Sequence, residues 1–239
     1  MAKAVKPKKT KTKVWRNPIR RLLWQGFRML CGLFVLAVVL IVLLAVVNPP
    51  TTIYMSQESR RLGGVDYEWV SMEEIAPVMA RAVVAAEDAN FCDHWGFDIR
   101  ALKSAIAAGG TRGASTISQQ TVKNVFLWHG RNYTRKALEA LLTPLVEAVW
   151  TKRRIVEVYL NIAEFDEGIF GVEAASRHYF GVGPEALSTT QAARLAAILP
   201  SPKTRSASRP SNSVRKRAAK IIQGAATIRA DGRSACFES

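Results

Sequence analysis

The distribution of apolar positions changes character twice along this chain. From Met29 to Val47 there is no alternation at all, and the run carries no charge. As a helix it would be about 28 Å long, close to the thickness of a bilayer core. A secretory signal would have a shorter apolar region with small residues behind it. Here Asn48-Pro49-Pro50-Thr51-Thr52 follows, so the run is expected to stay in place as an anchor. Beyond it, apolar residues recur at the three- and four-residue spacing of amphipathic helices.

Local signals place the ends of those helices. Ser71-Met72-Glu73-Glu74 has capping-box spacing, and Pro77 restarts a helix that runs to about Glu87. Asp98 caps the next, with Ile99, Leu102 and Ile106 on one face and Gly109-Gly110 at its end. A glycine-containing loop leads to Thr116-Ile117-Ser118-Gln119, again a capping-box spacing. Tyr133 to Trp150 forms a longer helix that Pro144 should kink. Further helices are predicted over Lys152 to Phe165, Val172 to Phe180, from Ser188 to the prolines at 200 and 202, and Val214 to about Arg229. Beyond residue 66 no strand is predicted, nor any internal repeat, so the fold class is mainly α.

These patterns divide the chain into a basic tail (1–28), a transmembrane anchor (29–47), a linker (48–66) with a strand or turn near Tyr54, a helical domain (67–202), and a C-terminal loop, helix and tail (203–239). Charge then fixes the expected topology. Lys3, Lys6, Lys8, Lys9, Lys11, Lys13, Arg16, Arg20, Arg21 and Arg28 all precede the apolar run. Such a block stays cytoplasmic and places the rest of the chain outside. It also accounts for most of the formal charge of +15, leaving 24 basic against 19 acidic residues. The excess is therefore read as a topology signal and an attraction to anionic lipid, with no nucleic acid as a partner. Trp15, Trp24 and Phe27 have the placement of an interfacial belt. Of the three cysteines, Cys31 lies in the anchor, while Cys92 and Cys236 fall on the oxidising side. There they either pair or remain two free thiols.

Candidate chemistry begins at Glu87-Asp88-Ala89-Asn90-Phe91-Cys92-Asp93-His94, a charged, aromatic turn closing an apolar helix. Glu87, closing an apolar helix beside Phe91, is placed to act as a base. His94 is expected to be hydrogen-bonded under the loop. Thr116, Gln120, Lys123 and Asn124 share one helix face. With free N–H groups at that helix's N-terminus they form a candidate phosphate cradle. Arg131, Arg135, Lys136, Lys152, Arg153 and Arg154 add cations, and Glu139 lies within reach of Arg135 and Lys136. Arginine suits phosphate because it grips two oxygens at once.

Taken together, these segments resemble the family 51 peptidoglycan glycosyltransferases. Glu87-Asp88-x-x-Phe91-x-x-His94-x-Gly96 and Gly113-x-Ser115-Thr116-Ile117-x-Gln119-Gln120-x-x-Lys123-Asn124 are similar to that family's first two motifs. Arg135-Lys136-x-x-Glu139, then Lys152-Arg153-Arg154-Ile155-x-Glu157-x-Tyr159-Leu160-Asn161, then Arg177-His178-Tyr179-Phe180-Gly181 are similar to the other three, in the same order. With no second catalytic domain in the chain, the monofunctional biosynthetic type is the one it resembles. A departure occurs at Asp166-Glu167-Gly168, where the glycine comes late in the turn.

The resemblance implies a lysozyme-like fold and polymerisation of lipid II into β-1,4 glycan with inversion and release of undecaprenyl pyrophosphate. It implies Glu87 and Glu139 as catalytic carboxylates. Asp88, Phe91, His94, Ser115, Thr116, Gln119, Gln120, Lys123, Asn124, Arg135, Lys136, Lys152 and Arg177 would bind substrate. No cofactor is expected to be essential, though Glu139 is a candidate ligand for Mg or Mn. The growing glycan strand, membrane lipid, and other cell-wall synthesis and division proteins are the expected partners, at a bacterial inner membrane with the catalytic domain periplasmic. Two other readings remain at this stage. An anchored lysozyme-like lytic enzyme would share the glutamate but have little use for the cations; a non-catalytic binder of anionic lipid would need no carboxylate.

Overall fold

A computed structural model describes residues 18–107, 109, 115–130 and 132–238. The basic residues up to Arg16, Trp15, Gly110, Gly113 and Arg131 lie outside the described residues. The chain divides into two units, residues 1–40 and 41–239. The first contains most of helix α1 (Pro18–Leu44), of which Ile19–Leu44 is long and apolar enough to cross a membrane. The helix begins well ahead of Met29, because Arg20, Arg21 and Arg28 are good helix formers whatever their charge.

The second unit is built on two helical groups. In one, α3 (Pro77–Glu87), α9 (Thr189–Ile198) and α10 (Asn212–Ala230) pack on one another. In the other, α5 (Ile117–Phe126) packs on α6 (Tyr133–Val149) and α7 (Lys152–Ile162). The core runs through both groups, with Met79, Val83, Ile117, Val122, Ile155 and Leu195 fully buried. Helices α4 (Ile99–Ala107), α8 (Gly171–Phe180) and the short α11 (Ala235–Glu238) complete the set, and α11 rests on α7. The capping box at Thr116 forms as predicted, the one at Ser71 opens a 3-10 turn over Met72–Glu74, and a further box closes at Ser188. Pro144 lies inside α6, which continues through it.

Three features differ from the sequence reading. Residues Ile53–Leu62, expected to be linker, form helix α2, capped by Thr52 and stopped at Gly63 in the left-handed conformation. A small sheet exists: β1 (Asp66–Tyr67) runs parallel to β3 (Ile169–Phe170), which pairs antiparallel with β2 (Glu164–Asp166). Strands of two or three residues are too short to show a period of two. The late glycine, Gly168, adopts positive φ (+74°) between β2 and β3, where the turn needs it. Helix α10, assigned from sequence to a C-terminal segment outside the 67–202 domain, packs directly on α3 and α9.

Two further details fix the frame around the site. Asn161 is fully buried, accepts from Val70 N (2.9 Å) and donates to Val70 O (2.9 Å), tying α7 to the segment before α3. The side chains of Trp150 and Arg154 donate to carbonyls at the end of α1, Ile41 O at 2.7 Å and Leu44 O at 3.1 Å. They satisfy acceptors that a helix C-terminus leaves open.

Candidate active site

The site forms where the C-terminus of α3 meets the N-terminus of α5. The apolar face of α3 buries Met79, Ala80, Val83 and Val84, which leaves its last residue, Glu87, at the edge of the core. Asp88 then makes the junction. One carboxylate oxygen accepts from Ile117 N (3.0 Å), and the other pairs with His94 Nε2 (2.8 Å). Because Asp88 grips the first turn of α5, Glu87 is carried across to face Gln120.

Glu87 has two partners. Gln120 Nε2 donates to one oxygen at 3.2 Å, and Arg217 of α10 donates to the other at 3.2 Å. Arg217 also donates to Ala86 O at 3.3 Å. Gln120 in turn accepts from the Tyr159 hydroxyl at 3.4 Å. Burial first, and the charge of Glu87 second, hold that phenol well above its usual range, so Tyr159 serves as a donor.

One turn further along α5, Lys123 is half-buried. Burial lowers its pKa below the ordinary lysine value, Arg135 and Lys136 lower it further, and Glu139 and Glu87 oppose the shift. Among the described residues no carboxylate forms an ion pair with it. A cation held in a half-buried place without a counter-ion is costly. Beyond Lys123, Glu139 is buried, with Arg135 Nη1 on one oxygen (2.7 Å) and Lys136 Nζ on the other. Lys136 also donates to Ser115 Oγ (3.1 Å), and Arg135 Nε to Gly130 O (2.9 Å).

Gln120, Lys123 and Asn124 line a cavity of about 410 Å³ together with Tyr54, His129 and Glu164. Glu87 adjoins this cavity through Gln120. Tyr54 and His129 stack with centroids 3.6 Å apart. Burial and the cations Lys123, Arg135 and Lys203 push His129 down to about 4, so it is neutral at ordinary pH. Glu164 accepts from Tyr54 Oη (2.7 Å), and burial raises its pKa. Tyr54, His129 and Glu164, with Lys203 and Arg217, were not singled out as site residues from sequence. Tyr54 sits in the supposed linker, and Arg217 comes from a helix far along the chain.

Several predicted site residues lie beneath the groove. Thr116 Oγ donates to Gly96 O (2.7 Å) and accepts from Gln119 N (3.2 Å), while Gln119 Oε1 accepts from Thr116 N (3.1 Å). This corrects the expectation of a phosphate cradle at the helix N-terminus: the first-turn N–H groups of Ile117 and Gln119 are already bonded to Asp88 and Thr116. Phe91 is fully buried, with the Lys152 ammonium 4.3 Å from its ring centroid. Lys152 is spent on the scaffold, donating to His94 O (2.7 Å) and Glu147 (2.9 Å). Arg177 is exposed on α8 and pairs with Glu173; the structure does not bring it to the groove.

Gly96 shows how tightly the turn is fixed. Its φ is +78°, and a β-carbon there would overlap Thr143 Cγ2. Gly96→Ala is expected to cost roughly 2–4 kcal/mol from left-handed strain plus overpacking. Urea denaturation measures this; an unchanged midpoint would contradict it.

A mainly helical domain here sets one carboxylate against amide and ammonium groups, with an Arg–Lys–Glu cluster alongside, an arrangement that suits a glycosyl-transferring enzyme. Comparison with known proteins agrees. The family model described as transglycosylase matches residues 55–226, and the chain belongs to that family, with its lysozyme-like, mainly helical fold. It is 56% identical over 240 residues to the biosynthetic peptidoglycan transglycosylase of Jannaschia sp. (strain CCS1), covering 99% of both chains. To the proteins of the same name it is 47% identical in Caulobacter vibrioides (83% of this chain, 89% of that one) and 49% in Salmonella arizonae (86% and 88%).

Proposed function

We infer that this chain, a peptidoglycan glycosyltransferase, joins lipid II units with Glu87 as the base and Lys123 as the principal group receiving the departing pyrophosphate. The observation that carries this reading is the pair of groups flanking Gln120: a carboxylate at the core's edge and a half-buried ammonium that, among the described residues, forms no ion pair with a carboxylate. Glu87 takes the proton from the acceptor's 4-hydroxyl as that oxygen attacks C1 of the donor sugar from the face opposite the pyrophosphate. Attack from the opposite face inverts the α-linked donor to a β-1,4 bond. Undecaprenyl pyrophosphate leaves with the electron pair and needs positive charge where its own charge grows. Lys123, Arg135 and Lys136 supply that charge.

Glu139 acts in this reading by orienting Arg135 and Lys136. Both of its oxygens are engaged by cations, an arrangement that does not fit a divalent metal. The other acidic and histidine group among the described residues, Asp88, His94 and Asp98, has every carboxylate oxygen already accepting within the fold. No step is therefore routed through a metal.

The growing strand and membrane lipid are the remaining partners. Helix α1 is read as a single-pass anchor with its N-terminus in the cytoplasm and the second unit in the periplasm, on the strength of its length and the basic residues before it. Incubating the purified full chain with labelled lipid II and with finished sacculi tests the reaction: polymer from lipid II with sacculi intact is expected, and cleavage of sacculi without polymer would contradict it.

A further inference from the structure

We propose that residues Asp231 to Glu238, closed by a disulfide between Cys92 and Cys236, form a strap that positions the catalytic turn, so that transfer depends on the redox state of that pair. The two sulfurs are bonded across a separation of 144 residues. Cys92 lies in the turn that begins directly after Glu87, between Phe91 and Asp93. The disulfide is one of several contacts on this turn from the same side. Arg233 donates to Ala89 O at 2.8 Å. Phe237 is fully buried against Phe91, ring centroids 6.4 Å apart. Glu238 is held by Arg81 at 2.5 Å, which returns the strap to the body of α3.

From within, the turn is held by Asp88 on α5 and by Lys152 under Phe91. The strap therefore closes the second side of a short segment whose first residue is the base. Helix α11 has only four residues and is marginal alone. Its covalent tie is what keeps Phe237 and Arg233 in register with the turn. Opening the bond leaves Lys123, Arg135 and Lys136 in place, since none of them touches the strap. Substrate binding should then survive while the alignment of Glu87 is lost, and small misalignments of a reacting group cost on the order of 10²-fold in rate.

Chemically, closure removes two protons and two electrons from the two thiols. The acceptor is the disulfide of a thiol–disulfide oxidant, which is reduced to two thiols. Opening is the reverse exchange with a dithiol. An oxidising compartment keeps such a bond closed.

The inference rests on the reading of Glu87 as base, and the test separates the two. In a Cys31→Ser background, which leaves only this pair to react, the full chain in detergent is assayed on lipid II. It is measured as isolated, after reduction and alkylation, and after reduction and reoxidation with glutathione disulfide. The expected result is a kcat lowered about 10- to 100-fold on reduction, a KM within about twofold, and recovery on reoxidation. Full kcat in the reduced, alkylated chain at a temperature where its circular dichroism is unchanged would overturn the strap. If the reduced chain loses helical signal, Arg233→Ala in the disulfide-bonded chain takes its place: a lower kcat at constant KM supports the proposal and an unchanged kcat overturns it. Should Glu87→Gln turn over normally in the oxidised chain, the base reading fails, and the strap with it. If Glu87→Gln is inactive but reduction is harmless, only the strap fails.

Discussion

Glu87→Gln is expected to lower lipid II polymerisation at least about 10²-fold, the lower range for losing a general base, without disturbing the fold. The substitution keeps the shape and one acceptor oxygen, which Arg217 still reaches; the new amide NH2 no longer accepts from Gln120, so one 3.2 Å hydrogen bond at the edge of the core is given up. What it removes is the capacity to take a proton. Initial rates with labelled lipid II measure the effect, and helical circular dichroism checks the fold. Asp93→Ala is the matched control: Asp93 is exposed in the same turn, and its loss should matter far less. Near wild-type turnover in Glu87→Gln would remove the base from the mechanism.

Lys123→Ala should cost nearly as much, about 10²- to 10³-fold, the range for deleting one group that stabilises developing negative charge. The side chain is half-buried, and no carboxylate neutralises it among the described residues, so its charge is available to a substrate anion. A pH consequence follows. Burial lowers the pKa of Lys123, so it loses its proton at a lower pH than an ordinary lysine would. Activity should therefore fall on the alkaline side of the rate profile before the usual lysine range is reached. Lys123→Arg, which stays charged there, should push that limb to higher pH. A profile whose alkaline limb is the same in both chains would show that another group controls it.

The path from sequence to site was open where periodicity and capping are strong. The α5 face carrying Gln120, Lys123 and Asn124 could be read from spacing alone, because a helix repeats every 3.6 residues. The turn after Glu87 stood out by composition. What spacing does not reveal is which way a polar residue is spent. Thr116 and Gln119 look like ligands on a helical wheel, yet they cap each other, and Asp88 is consumed in joining α3 to α5. Lys152 reads as a phosphate-binding cation, and its ammonium lies over the Phe91 ring. Arg217 escaped notice because its contact with Glu87 spans 130 positions and exists only once α10 has packed on α3. The two- and three-residue strands are too short to show a period, and α2, over Ile53–Leu62, has a polar run from Ser56 to Arg61 that hides its apolar face.

The central claim is that one groove holds the acceptor hydroxyl at residue 87 and the departing diphosphate at Lys123. A crystal structure of the Glu87→Gln chain with lipid II bound tests it most directly. The account predicts a diphosphate oxygen within about 3.2 Å of Lys123 Nζ and a saccharide 4-hydroxyl within the same reach of residue 87. A diphosphate seated away from Lys123, or a 4-hydroxyl that cannot approach residue 87, would contradict it.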